Sequence, residues 1–233
     1  MDTKLKLGVF FALFTVLSIL FYNVELSYIV GAEEQSFTMF QFIGPVAGGM
    51  LSPLLGIASV LVVEVFWKLI AGTFSFEPFA VVRLFTVAAA ALCFGLVKKE
   101  KLAGVLIPAV GIVMFLAHPV GMEAWGYAAL WVIPIGAAFF AGNLLARSIA
   151  STFQAHVIGS IGFLYLVGLP ATVWWGLIPV VLIERGIFSL GISLTYVTLA
   201  SAVQTAGDLA KVDLGFLGVE KKYAYSPARK VDG

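Results

Sequence analysis

The chain has 233 residues, of which 61% are hydrophobic and only 12% charged, and its mean hydropathy is +1.04. Soluble domains carry about 25% charged residues, so a water-soluble fold could not hide this much Leu, Val, Phe and Ala, and the chain reads as an all-α integral membrane protein with apolar lipid-facing helices. A net charge of +1 carries no signal for a nucleic acid or polyanionic partner, and the single cysteine, Cys93, excludes an intramolecular disulfide or a multi-Cys metal cluster.

A crossing helix needs roughly 20 mostly apolar residues. Such runs occur at 7–22, 54–72, 79–97, 103–118, 124–146, 149–168 and 177–204. A shorter one at 38–52 holds Gly44, Pro45, Gly48 and Gly49. The expectation is a polytopic bundle of six to eight transmembrane helices, with the Gly/Pro-rich segment near 38–52 either crossing or forming a re-entrant hairpin with 54–72. The apolar 7–22 run after Lys4 and Lys6 faintly resembles a signal peptide ending at Val30-Gly31-Ala32. Asn23 and Glu25 lengthen the gap to a poor cleavage geometry, so it reads as an uncleaved first helix. Residues 1–204 form the transmembrane domain. Residues 205–233, with Gly207, Asp208, Asp213, Pro227 and scattered Lys and Arg, read as a cytoplasmic tail with at most a short interfacial helix near Val212–Val219.

Cations fall in alternate loops. Lys4, Lys6, Lys98, Lys99, Lys101, Arg147, Lys211, Lys221, Lys222, Arg229 and Lys230 make eleven of the fourteen Lys+Arg, and all lie on one side. The loops near 23–37, 73–78, 119–123 and 168–173 have none and carry Glu25, Glu33, Glu34, Glu77 and Glu123 instead. By the positive-inside rule both termini are cytoplasmic and the protein is a multi-pass protein of the cell membrane.

Ionisable groups inside spans cost about 2.5–3.5 kcal/mol each on insertion scales. Glu64 and Lys68, four apart, share a helix face and can pair. Arg83 starts the next helix. Glu184 and Arg185 are adjacent, and neighbours one apart point in different directions. With this topology they fall in the outer half, with Trp67, Trp125, Trp131, Trp174 and Trp175, and point to an outward-opening polar cavity. In it Glu64, Lys68, Arg83, Glu184 and Arg185 would be the polar contacts, and Trp67 and Trp174 the stacking walls. The arginines suit an anionic group, and the glutamates an amine or hydroxyl. His118, Glu123 and His156 are secondary candidates. Each group also has a plain structural reading: ion pairing, snorkelling, an interfacial tryptophan belt, a polar cap at His118, or helix–helix hydrogen bonding by His156 and Gln154. Gly8 and Ala12 form a small-residue face on the first helix suited to close helix docking.

Catalytic motifs are missing. There is no Gly-x-Ser-x-Gly serine beyond a superficial Gly159-Ser160-Ile161-Gly162, and no His-Glu-x-x-His. Glu33-Glu34 lacks the following Arg and His motifs of intramembrane CAAX-processing proteases. No aspartate lies in a span. An enzyme is the minority reading, and neither cofactor nor metal is implied.

The stretch Phe40-Gln41-Phe42-Ile43-Gly44-Pro45-Val46-Ala47-Gly48-Gly49-Met50-Leu51-Ser52-Pro53-Leu54-Leu55-Gly56 resembles the early region of the substrate-binding S components of energy-coupling factor (ECF) transporters. There a Gly-Pro and spaced glycines mark a short second helix leading into the third. The resemblance implies a small solute bound in an outward-facing pocket, and as partners a transmembrane coupling protein and two ATPases. Gly8 and Ala12 are similar to the family's docking motif on the first helix. The expected function is solute binding for membrane transport. The alternatives are an accessory or structural subunit of a membrane complex and, behind it, an intramembrane enzyme.

Overall fold

The computed structural model describes residues 3–29 and 32–225, without the side chains of Thr3, Lys4, Lys6, Ile29 and residues 32–35. Val30, Gly31, Pro227, Arg229 and Lys230 lie outside the described residues, and the side chains of Glu33 and Glu34 do too. In chain order the elements are α1 (Thr3–Tyr22), β1 (Glu25–Ile29), β2 (Ala32–Thr38), α2 (Phe40–Met50), α3 (Pro53–Ile70) and α4 (Pro78–Leu96). Then come α5 (Leu102–Ala117), three short helices α6 (Pro119–Glu123), α7 (Trp125–Ala129) and α8 (Val132–Phe139), α9 (Leu144–Leu166), α10 (Ala171–Ala210) and a 3₁₀ turn at Lys221–Tyr223.

Helix boundaries follow local chemistry. Pro53, Pro78 and Pro119 each open a helix where the missing N–H costs nothing. Ser52 caps α3 by accepting from Leu55 N, and Asn143 caps α9 by accepting from Leu145 N and Ala146 N. Among the described residues, four helices are long and apolar enough to cross a membrane: α3, α4, α9 and α10. Leu7–Tyr22 of α1, all of α5, and the Trp125–Phe139 stretch are apolar but shorter.

Contacts show an up-and-down path between two ends. Tyr22 at the end of α1 meets Phe40 at the start of α2 and Trp67 near the end of α3, so α2 and α3 form an antiparallel hairpin. Phe79 at the start of α4 lies against Phe163 near the end of α9. The α6–α8 run descends alongside α5, with Phe115 against Tyr127, Gly111 against Trp131 and Gly104 against Ala138. One end of the bundle carries the β-hairpin. The other carries Lys98, Lys99, Lys101, Arg147, Lys211, Lys221 and Lys222.

The α2–α3 hairpin is tightly packed within the bundle. At eleven residues α2 is about 16 Å long, too short to cross the roughly 30 Å hydrocarbon layer by itself. It is enclosed instead: Phe40, Ile43, Val46, Ala47 and Met50 are all at 1% exposure or less. Gly48 makes this enclosure fit. A Cβ there would collide with the Ala91 carbonyl of α4, while Gly56 of α3 packs directly on the Gly48 backbone. Three helices thus meet at backbone distance, as small residues allow.

Several elements differ from their sequence-based outlines. The 23–37 loop is an antiparallel β-hairpin pairing Glu25 with Thr38, Ser27 with Phe37 and Tyr28 with Ser36, because Ser, Tyr and Phe alternate there at strand spacing. The single 124–146 span is broken into α7, α8 and a turn at 140–143, since apolar content alone does not reveal where short helices end. The 177–204 helix extends to 171–210, about 60 Å at 1.5 Å per residue.

Arg147 is not in a loop. It is a buried residue of the first turn of α9, with its guanidinium 4.4 Å from the Phe94 ring and 5.0 Å from Tyr196. The segment after α10 forms no helix at 212–219 but straps across the basic end, burying Leu217. Gly218 N donates to Met50 O at 2.8 Å, and Glu220 N to Tyr196 Oη at 3.0 Å. The Glu220 carboxylate takes Arg147 and Lys98, each at 2.7 Å. Burial alone would raise the Glu220 carboxyl, but its bonds to Lys98 and Arg147 hold it below the usual carboxylate range. Its stabilising contribution is therefore complete above the ordinary carboxylate pKa and lost as pH falls through the depressed folded value. Glu220→Gln should lower stability by roughly 1.5–3 kcal/mol at neutral pH and remove part of the acid sensitivity, read as thermal unfolding in detergent across pH. An unchanged acid profile would show that Glu220 does not secure the strap.

Candidate functional site

At the hairpin end a cavity of about 100 Å³, measured as space for a water-sized sphere, opens between the β-hairpin, α4, α7, α9 and α10. It has room for several waters or one small solute. Its polar wall comes from α10, where Glu184 and Arg185 both line the space. Sequence spacing sets these two apart, yet their side chains converge, with Glu184 Oε2 3.5 Å from Arg185 Nη2. Long side chains bend around the helix further than their Cβ directions imply.

Arg185 is 2% exposed. Nη1 reaches Thr152 Oγ1 at 3.4 Å, and Nε has no hydrogen-bond partner. The guanidinium plane is held by aromatic rings, Phe188 at 4.3 Å and Phe37 at 5.1 Å. This is a desolvated cation with only long polar contacts, a costly arrangement unless an anion completes it.

The β-hairpin roofs the cavity. Ser27 Oγ donates to Glu184 Oε1 at 3.1 Å, Tyr28 and Phe37 line the space, and Phe37 packs edge-on against Phe188 at 5.5 Å. Arg83 of α4 reaches Ser36 O at 3.5 Å and lines the cavity from the opposite wall. Trp174, 1% exposed, is a wall residue as its position suggests. It stands 4.8 Å from Tyr127 in ring-centroid distance. His156 also faces the cavity, whereas Gln154 is spent on helix packing, donating to Gly104 O at 3.2 Å.

The remaining candidates are elsewhere. Glu64 and Lys68 line a separate, smaller polar cavity of about 20 Å³, which adjoins the first through Gln41, Arg83 and Thr86. The Glu64 carboxylate is taken up by Tyr22 Oη at 2.9 Å rather than by Lys68. Trp67 packs at a tilt against Tyr22 at 5.7 Å and lines neither cavity. His118 lies against Tyr165, and Glu123 is exposed, its carbonyl accepting from Trp175 Nε1. Trp125 and Trp175 are exposed, as an interfacial belt requires. The faces of Gly8 and Ala12 point out of the bundle, beside exposed Leu5, Val9, Leu13 and Val16.

Sequence reasoning missed Tyr28, Phe37, Gln41, Thr86, Tyr127 and Ser160 as cavity residues. The alternation of Tyr28 and of Ser36 and Phe37 is the one signal that could have revealed the roof. Tyr127 gave none, because it reaches the cavity only through the breaks around α7.

The fold and site define an all-α bundle, with four helices suited to spanning a membrane, that encloses a polar, aromatic-walled cavity under a β-hairpin roof. No protein family, curated protein or solved structure matches the chain.

If the Ser27–Glu184 bond fastens the roof, Ser27→Ala should speed amide exchange of the hairpin about threefold to tenfold, the worth of one ordinary hydrogen bond, with α9 unaffected. Exchange mass spectrometry in detergent reads this, and unaltered hairpin rates would show the roof is held without it.

Proposed function

We propose that the protein is a multi-pass protein of the cell membrane that binds a small anionic solute for transport. In this reading the cavity faces the outside, both termini are cytoplasmic, and the basic end with its strap lies against the cytoplasm. One observation carries the proposal: Arg185 is almost fully buried in the wall of a cavity, with only long contacts to Thr152 and Glu184. A purely structural arginine would be expected to close short, charge-assisted bonds, as Arg147 does with Glu220 at 2.7 Å.

The arrangement fits the role expected of an S component of an ECF transporter: a binding unit whose energy comes from partners. The outward-facing small residues of α1 would serve a transmembrane coupling protein, itself driven by ATPases. Glu184 is committed to Ser27 and Arg185, so it orients the clamp rather than a ligand amine.

Native mass spectrometry of the detergent-purified protein tests the reading. The wild type should retain a small molecule, and Arg185→Gln should weaken its binding roughly tenfold to a hundredfold, the loss of a charge-assisted bond. Absence of any adduct, with Arg185→Gln instead shedding a protein partner or unfolding, would overturn it in favour of an accessory subunit of a membrane complex.

A further inference from the structure

A second part of the lining has a different chemistry, one to two turns along α9 from the Thr152 that contacts Arg185. Tyr127 from α7 and His156 and Ser160 from α9 all border the cavity. Tyr127 Oη is 3.1 Å from Ser160 Oγ and 3.3 Å from His156 Nε2. His156 and Ser160 are four apart, so one helix face presents both to the same phenol. Tyr127 is 2% exposed and Ser160 6%. Among the described residues, no carboxylate or cation is hydrogen-bonded to any of the three.

A hydroxyl between a second hydroxyl and an imidazole has a choice of partner. Tyr127 can donate to His156 while accepting from Ser160, or the reverse, since both hydroxyls rotate and the ring has two tautomers. The cluster can therefore meet a ligand group that donates, accepts or does both. It is self-satisfied when the cavity is empty, so it exacts no large penalty from a ligand that ignores it.

Much of the remaining lining is aromatic. Trp174 stands 4.8 Å from Tyr127, Phe79 4.5 Å from Phe163, and Phe37 closes the roof. Flat rings favour a planar ligand body, which they can stack on or meet edge-on.

Building on the anionic-solute reading above, we infer that the site selects a bipolar aromatic acid. Its carboxylate meets Arg185, a planar ring lies among Trp174, Phe79 and Phe163, and a neutral hydroxyl or ring heteroatom meets Tyr127, His156 and Ser160. The neutral pole sets specificity, whereas the arginine sets affinity.

The test compares three probes, para-hydroxybenzoate, benzoate and para-hydroxybenzyl alcohol, by calorimetric titration of the wild type, Tyr127→Phe and Ser160→Ala in detergent at millimolar ligand. In the wild type para-hydroxybenzoate should bind roughly threefold to tenfold more tightly than benzoate, the worth of one neutral hydrogen bond, and the uncharged alcohol should be the weakest. Tyr127→Phe should remove the preference for the hydroxylated acid while leaving benzoate binding intact, and Ser160→Ala should reduce that preference. Intact benzoate binding also shows that the variant is folded.

Equal binding of both acids by the wild type, or a preference that survives Tyr127→Phe, overturns the bipolar inference and leaves the anion reading standing. If neither acid binds but the alcohol does, or if no probe binds, both readings fall.

Discussion

Arg185 sets the terms for the upper part of this molecule. A guanidinium at 2% exposure, in a chain made mostly of apolar side chains, must be surrounded by groups that tolerate it. The structure assembles them from three distant parts of the chain: Phe37 from the hairpin, Thr152 from α9, and Glu184 and Phe188 from α10. The β-hairpin is pinned by the same group of residues through Ser27 and Glu184. Roof, wall and charge are therefore one unit, and a change in the occupancy of the cavity would be felt first by the hairpin.

The opposite end solves a similar problem differently. Arg147 is also buried, but Glu220 closes on it at 2.7 Å, Phe94 and Tyr196 flank its guanidinium, and the strap that carries Glu220 ties α2, α4, α9 and α10 together. The contrast between the two arginines is informative. One has a short ionic partner within the chain and anchors packing. The other has long contacts and a cavity in front of it. Burial of a cation does not separate the two, and neither does an open N–H, since Arg147 Nε and Nη2 lack partners among the described residues too; the short ionic contact to Glu220 does.

Much of this was legible in the sequence, for physical reasons. Composition alone dictates apolar helices, and the chain positions of α3, α4, α5 and α9 follow from runs of apolar residues between charged or proline-bearing turns. Arg83, Glu184, Arg185, Trp174 and His156 were recognisable because ionisable or bulky polar groups in an apolar helix are expensive. What the sequence hid depends on tertiary contacts. Glu64 is taken by Tyr22 from another helix, so an i,i+4 partner in Lys68 was a misleading cue. Glu220 lies in an apparently featureless tail, and only the fold brings it to Arg147. Tyr127 sits inside an apolar run whose breaks are set by packing of α6–α8 on α5, which leaves no periodic trace. The hairpin was read as a loop because its strands are short and polar and pair only with each other.

The central claim is that the roofed cavity opens to the outside while the basic, strapped end faces the cytoplasm. Thiol labelling tests it directly, since the single native thiol, Cys93, is only 1% exposed and can be replaced. In a Cys93→Ala background, Tyr28→Cys on the exposed hairpin should react with a membrane-impermeant maleimide in intact cells, and Gly142→Cys at the basic end only after permeabilisation. Labelling of Gly142→Cys in intact cells with Tyr28→Cys protected would invert the molecule and contradict the account.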